Sequence, residues 1–447
     1  MYNTRLTPMD LKDKSFFLRT FGCQMNESDS EKIAGILTAA GGREAERVED
    51  ADIIIVNTCA VREKSEEKLY SYLGRIRPRL DARPVLVGVA GCVAQAESAN
   101  LVARRPFIDF VVGPDNYLRL PEIIERCGER TIIADEWSND WREAPDLLFR
   151  RRSPATAAVS IMEGCDNFCS YCIVPFSRGR EKFRPLRHIR AELAELAARG
   201  YQEIQFLGQN VNSYRDPETG TPFAALLFEA GHMPGLKWVR FLTSHPKTFS
   251  AAIIEAMTSS PIICRQVHLP LQSGSTSVLA RMNRGYSREE YLAKITLLQE
   301  RIPGISLSTD IIVGFPGETE EEFGETLSAL ESVRFANIFS FRYSPRPRTS
   351  AAKGPDDVPF DIKRRRRIEV QALQKRIQSA IHESLIGTTM AVLGEGPSRK
   401  DPAMFSGRNE SYQVVNFRAP TDVRGRFVRV KISGSGPYSL RGDLVED

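Results

Sequence analysis

Apolar and polar positions alternate between two periods along most of the chain. Residues 15–21, 52–56, 85–90 and 108–112 are short apolar or β-branched runs, the pattern of buried strands. Between them lie helical patterns: 28–40, opened by a capping box from Ser28 to Glu31; 62–77, closed by Pro78; and 94–104. Repeated β–α units predict a doubly wound parallel sheet. Residues 136–156 are polar, contain tryptophan and proline, and include Arg150, Arg151 and Arg152; they read as a linker. The alternation then resumes. Strands are predicted at 159–162, 203–207, 238–242, 266–269, 306–313 and 338–341, and helices at 192–199, 223–229, 249–257, 288–301 and 320–333. Six strands with crossover helices fit a partial (β/α)6 barrel of the TIM type. A helix at 361–386 opens with the basic run from Lys363 to Arg367. After Gly387 come short strands at 389–393, 412–417, 427–432 and 442–445, which predict a small OB-like β-barrel of about 60 residues. The expected class is α/β, with domains at 1–149, 150–383 and 384–447.

Composition narrows the class. The chain has 447 residues, 42 % hydrophobic and 26 % charged, which suffices for buried cores. Its 61 basic and 57 acidic side chains leave a charge of +4, compatible with an acidic partner such as RNA without requiring one. No apolar stretch approaches the roughly 18 residues of a spanning helix, and the first residues lack a signal-peptide pattern. A cytoplasmic protein without a membrane partner is expected. In that setting the eight cysteines point to metal binding or catalysis before disulfides.

Cys165, Cys169 and Cys172 follow the first predicted barrel strand, at the end where such folds gather their active sites. Thiolates suit iron–sulfur clusters, which normally take four cysteines. Three leave one iron open, which is what a substrate-binding metal needs. A zinc site completed by a fourth ligand such as His188 is the alternative from spacing alone.

Cys23, Cys59 and Cys92 are far apart in sequence, yet each falls just past the carboxyl end of a predicted parallel strand. In a doubly wound sheet those ends line one crevice. Gly22 and Gly91 directly precede two of the three and permit tight turns there. A shared three-thiolate site follows; three separate buried thiols is the plainer reading. Cys127 and Cys264 have no partner at a useful spacing.

The Cys165/Cys169/Cys172 spacing, with Tyr171 before the last cysteine, resembles the signature of radical S-adenosylmethionine enzymes. Across nearly the whole chain the resemblance is to the methylthiotransferase family. It is carried by 20–26 (TFGCQMN), 57–62 (NTCAVR), Gly91-Cys92, 163–172 (EGCDNFCSYC), 175–181 (PFSRGRE), 207–212 (LGQNVN), 269–274 (LPLQSG) and 309–319 (TDIIVGFPGET). The first and fifth segments are closest to the branch acting on N6-isopentenyladenosine beside the tRNA anticodon, at position 37. Other branches act on threonylcarbamoyladenosine or on a ribosomal-protein aspartate, and a chain with this fold could also be a non-catalytic RNA-binding or cluster-carrier protein. The resemblance implies two [4Fe–4S] clusters, one on each triad, with all six cysteines catalytic. It implies S-adenosylmethionine used twice, for a methyl group and for a radical that takes hydrogen from C2 of adenine. It implies a tRNA anticodon stem-loop as substrate, an electron donor of flavodoxin or ferredoxin type, and a C-terminal TRAM RNA-binding module; it names no sulfur donor.

Other residues are candidates for holding S-adenosylmethionine: Tyr171, Gln209, Asn210, Ser244, His245, Gln272, Ser273, Asp310, Gly314 and Arg342. Most of them end predicted strands. For Gln209 and Asn210 loop capping is the competing reading, and for His245 a place before Pro246 in a turn. Asp310 lies inside an apolar strand, where an unpaired carboxylate is costly, so a ligand or an arginine partner is expected. Arg342 could equally form a salt bridge. In the C-terminal strand, Val428, Val430 and Ile432 alternate with Arg429 and Lys431, which puts the basic side chains outside. With Arg408 these are candidate RNA contacts, as is the 363–367 run, whose plainer reading is a solvated helix face.

Overall fold

A computed structural model describes residues 11–80, 84–127, 131–142 and 149–445. The N-terminal sheet contains β1 (Ser15–Phe21), β2 (Arg43–Glu44), β3 (Ile53–Thr58), β4 (Leu86–Ala90), β5 (Phe110–Val112) and β6 (Ile132–Ala134). All are parallel, in the order β2-β1-β3-β4-β5-β6. Every residue of β3 and β4 is buried, because helices cover both faces. Phe16, Ile53, Leu86 and Phe110 pack under one layer, and Ile54, Val56, Val87 and Val89 under the other. The chain runs outward from β1 to β2, then crosses to β3 on the opposite side. That reversal is the switch point of a doubly wound sheet, where its binding crevice opens.

Three local expectations need correction. The first helix spans Gln24–Ala39 and is capped by Cys23, not Ser28. Asn26 Oδ1 accepts the Cys23 N–H at 3.4 Å, and Ser30 is taken up by Thr20 and Asn57. The next helix, Glu63–Leu80, runs through Pro78. In the last turn this proline forfeits only one intrahelical bond. The supposed linker follows β6 and crosses a domain seam: the Arg151 side chain is buried, bonded to Glu31 of the first helix and Glu192 of the barrel. Its neighbours Arg150 and Arg152 pair with Glu44.

The second domain contains β7 (Thr156–Ser160), the antiparallel pair β8 (Met162–Glu163) and β9 (Lys182–Phe183), then β10 (Glu203–Leu207), β11 (Trp238–Phe241), β12 (Gln266–His268), β13 (Ser306–Val313) and β14 (Asn337–Arg342). The strands β7-β10-β11 and β12-β13-β14 form two parallel sheets, linked by a bridge from Val239 to Ile263. Together they make the six-stranded arc read from the sequence. Along β13 half-buried and buried residues alternate strictly; one face meets the helices and the other an open lumen.

The helix Phe360–Ser384 packs against β14. Its basic run is not simply a solvated face. Lys363 and Arg366 are buried, Lys363 paired with Asp356 and Arg366 with Glu318 at 2.8 Å and Glu320 at 2.7 Å. The run docks the helix onto the barrel. A closed barrel follows: β15 (Thr389–Pro397), β16 (Phe405–Asn409), β17 (Val414–Arg418), β18 (Phe427–Ser435) and β19 (Leu440–Leu444). The sequence pattern missed β16, whose Ser-Gly-Arg-Asn stretch is short of apolar residues. Buried Arg240 anchors this barrel, bonded to Glu203 and to the Asn409 carbonyl, and Trp238 meets Phe427 edge-on at 4.5 Å. Among the described residues no helix is long and apolar enough to cross a membrane.

Replacing Arg151 with alanine takes the guanidinium from Glu31 in the seam and leaves Glu192 with Arg184. The expected cost is about 1–3 kcal/mol, read as a lower urea midpoint; a midpoint within error of the unaltered chain would contradict the role of this bridge.

Candidate metal centre

The strands deliver the first triad to one place. Cys23 follows β1 and Cys59 follows β3, at the switch point, and Cys92 opens the helix that follows β4. The free Cys59 thiol donates a hydrogen bond to the Cys23 sulfur, which lowers Cys23 to about 6 and raises Cys59. The Val61 N–H donates to Cys59 Sγ at 3.3 Å. Gly91 adopts φ +93°, and a Cβ there would sit 2.3 Å from Asn57 Oδ1. That asparagine bonds to the Asn26 carbonyl at 2.9 Å, so both turns are braced by one side chain.

The second triad lies on the loop after β8. Asn167 Nδ2 donates to Cys165 Sγ at 3.3 Å, Arg284 Nη1 to Cys169 Sγ at 3.3 Å, and the Val174 N–H to Cys172 Sγ at 3.5 Å. Burial raises the Cys165 thiol and pushes Cys172 up to about 12, where the neighbouring Cys169 adds to it. Thiolates in such a setting need a positive counter-group, which bound iron supplies. Among the described residues no group of His, Cys, Asp or Glu is arranged around a single ion. A cubane places each thiolate on a different iron and so spreads its ligands wider than one tetrahedral ion does. Six thiols in two groups of three, most met by an N–H donor, fit two clusters.

The two triads are neighbours. Ile173, next to Cys172, packs in the same core as Cys92. Arg178, five residues on, donates from Nε to Cys92 Sγ at 3.1 Å. Lys182 reaches back to Asp115 of the N-terminal domain. The segment from Cys165 to Lys182 is thus shared by both domains.

Several candidates gather around the second triad, at the carboxyl ends of the barrel strands. Gln209 Oε1 accepts the Gly164 N–H at 2.6 Å and so braces the cysteine loop. Asn210 donates to Glu181 at 3.4 Å, but its buried Oδ1 finds no partner within the chain, nor does the buried Ser244 Oγ. Buried polar atoms are normally satisfied; both follow neighbouring strands, and a polar ligand would complete them. His245 Nε2 lies 3.9 Å from Cys169 Sγ, its ring held near pKa 2 by burial and by Arg284 and Lys247. It is neutral at any ordinary pH. Thr243 and Gln272 adopt φ of +69° and +73°, strain of the kind that clusters at ligand sites. The Tyr171 hydroxyl is 3.4 Å from Arg284 Nη1.

Asp310 points into the lumen. Its partner is not an arginine but His268, with Nε2 to Oδ2 at 3.4 Å; Ser308 Oγ lies 3.0 Å from the other ring nitrogen. Phe339 stands edge-on to His268. Three candidates lie elsewhere. Ser273 is wholly buried against Thr326 of an outer helix. Gly314, at φ +70°, faces Lys363. Arg342 has its guanidinium 4.3 Å from the centre of the Phe360 ring and shares strand parity with buried Ile338, which puts it on the helix side of β14. In the small barrel Arg408 pairs with Glu395 and lies over Tyr412. Arg429 and Lys431 are exposed and alternate with buried Val430 and Ile432; Val428 is only half-buried.

Sequence reading missed Arg178, Arg284 and His268. The first lay in a motif visible as a segment. The last could have been found by strand parity. Arg284 carried no signal, since its partners come from three separate loops.

Residues 15–113 match the uncharacterized protein family UPF0004, residues 159–330 the radical SAM superfamily and residues 383–445 the TRAM domain. The chain is 45 % identical over 445 residues to the tRNA-2-methylthio-N(6)-dimethylallyladenosine synthase of Burkholderia multivorans, covering 97 % of each. It is 42 % identical over 439 residues to the enzyme of that name from Acetivibrio thermocellus, covering 97 % of this chain and 92 % of the other. Among solved structures, the radical S-adenosylmethionine methyltransferase TsrM of Kitasatospora setae, with cobalamin and a [4Fe–4S] cluster bound, superposes with a TM-score of 0.55 at 17 % identity, over 76 % of this chain and 77 % of that one. That likeness speaks for the fold alone.

Substituting Gly91 with alanine forces a Cβ into the Asn57 side chain at a backbone position (φ +93°, ψ −161°) that essentially only glycine adopts, at a cost of roughly 1–3 kcal/mol plus the displaced asparagine. The expected result is a lower melting temperature together with loss of iron from the N-terminal triad. Full iron retention would contradict the tight-turn role.

Proposed function

Because the chain belongs to the tRNA-2-methylthio-N(6)-dimethylallyladenosine synthase family, we propose that its two cysteine triads hold the two clusters of that reaction on opposite sides of one cavity. The activity is that of a radical S-adenosylmethionine enzyme which places a methylthio group on C2 of N6-dimethylallyladenosine in tRNA. In this reading the base is the one at position 37, beside the anticodon. The observation that carries it is the contact from the barrel segment after Cys172 to Cys92 of the other domain. When bound, the clusters and S-adenosylmethionine supply homolytic cleavage of a carbon–hydrogen bond and a transferable sulfur.

The chain's own residues bind, orient and exclude water. Cys165, Cys169 and Cys172 take one cluster and Cys23, Cys59 and Cys92 the other. The unsatisfied Asn210 Oδ1 and Ser244 Oγ, with Gln272, hold polar groups of S-adenosylmethionine. His245 stays neutral and so adds no second cation beside Arg284 at Cys169. His268, Ser308 and Asp310 form a polar layer deeper in the lumen, with Phe339 as an apolar wall. Such a mixture suits an adenine ring carrying an apolar substituent. The base must leave the anticodon-loop stack to reach it. Arg429 and Lys431 on the outer face of the TRAM barrel hold the RNA backbone. The domains divide this work at 149/150 and 383/384. Electrons come from a flavodoxin- or ferredoxin-like donor, in the cytoplasm.

Anaerobic reconstitution should load about eight irons per chain. Converting Cys23, Cys59 and Cys92 to alanine should leave about four, keep 5′-deoxyadenosine formation and abolish methylthiolated nucleoside in mass spectra of treated tRNA. Methylthiolation that survives the triple substitution would refute the assignment of the N-terminal triad.

A further inference from the structure

Arg178 is 2 % exposed, and its guanidinium lies between the domains. Both Nη atoms bond to Asp29 of the first helix, and Nη1 lies 4.0 Å from Glu163. Tyr117 donates to the same Asp29 carboxylate at 3.4 Å. The backbone is fixed as well: the Arg178 N–H donates to the Val174 carbonyl at 2.8 Å, and Gly179 turns the chain away at φ +75°. An arginine serving only to dock two domains could spend every donor on carboxylates or carbonyls. Here Nε is spent on sulfur, 3.1 Å from Cys92 Sγ.

We propose that Arg178 is a positioning residue for the N-terminal cluster, raising its reduction potential through a cationic N–H···S bond to Cys92 that exists only while the barrel is docked. The proposal rests on the reading that Cys23, Cys59 and Cys92 hold a cluster. Reduction adds one electron, and part of the added charge falls on the ligand sulfurs. A buried cation with an N–H on one of them stabilises the reduced form more than the oxidised form, and hydrogen bonds to sulfur and net charge are among the factors that set cluster potentials. The fork geometry matters: guanidinium serves Asp29 and Cys92 at once, whereas a lysine keeps the charge but not both edges.

The test uses the full chain with Cys165, Cys169 and Cys172 converted to alanine, reconstituted and titrated electrochemically with detection by electron paramagnetic resonance. About four irons should load; if none load, the cluster reading fails whatever Arg178 does. R178Q, and D29N/R178Q in which no carboxylate is stranded, should lower the reduced-to-oxidised ratio at fixed potential about tenfold, a shift of roughly 59 mV for one electron. R178K should recover part of it. Should the glutamine variants shed iron, retention by R178K supports the proposal, and equal loss from R178K overturns it. An unchanged midpoint in both glutamine variants also overturns it and leaves Arg178 as a docking residue only.

Discussion

Parallel pairing makes every strand of a sheet end on the same edge, and the rest of this molecule depends on that constraint. In the N-terminal sheet it brings Cys23, Cys59 and Cys92 together from three separate β–α units. In the barrel it brings Asn210, Ser244 and Gln272 to the rim beside Cys169. Neither site could be built by an antiparallel arrangement of the same strands, which would send alternate loops to opposite ends. The two carboxyl-terminal edges are then held together by a charged seam. Arg151, Arg178 and Lys182 cross it, and each is buried with a carboxylate partner.

Such a seam is not a cheap source of stability, because ion pairs lose much of their attraction to desolvation. It gives register instead. A purely apolar interface would tolerate sliding, whereas a fork such as Arg178 on Asp29 and Cys92 accepts one placement. The proposed function needs that placement, since in that reading a radical made at one triad acts on a base that must also meet the sulfur at the other.

Most of the fold was legible because its strands are short, apolar and evenly punctuated; Ser306–Val313 and Glu203–Leu207 were read to the residue. Errors came where a local signal met a stronger tertiary one. The Ser28 capping box lost to Cys23 because the first turn is buried against Asn57. The basic run at 150–152 read as linker and that at 363–367 as a solvated helix face, yet the side chains of Arg151, Lys363 and Arg366 are inside, matched by carboxylates on other segments of the chain. Charge runs carry no record of which members are paired. The convergence of Cys23, Cys59 and Cys92 was legible from strand ends, and the grouping of Cys165, Cys169 and Cys172 from spacing. Arg178, Arg284 and His268 were not, because their partners sit on other elements and only the folded chain brings them together.

The most direct test of the central claim, two clusters facing one cavity, is the anomalous scattering of iron from crystals of the reconstituted chain. Two iron centres are predicted, one bonded to Cys23, Cys59 and Cys92 and one to Cys165, Cys169 and Cys172, with no protein layer between them. A single centre, or iron bound through Cys127 or Cys264, would contradict the account.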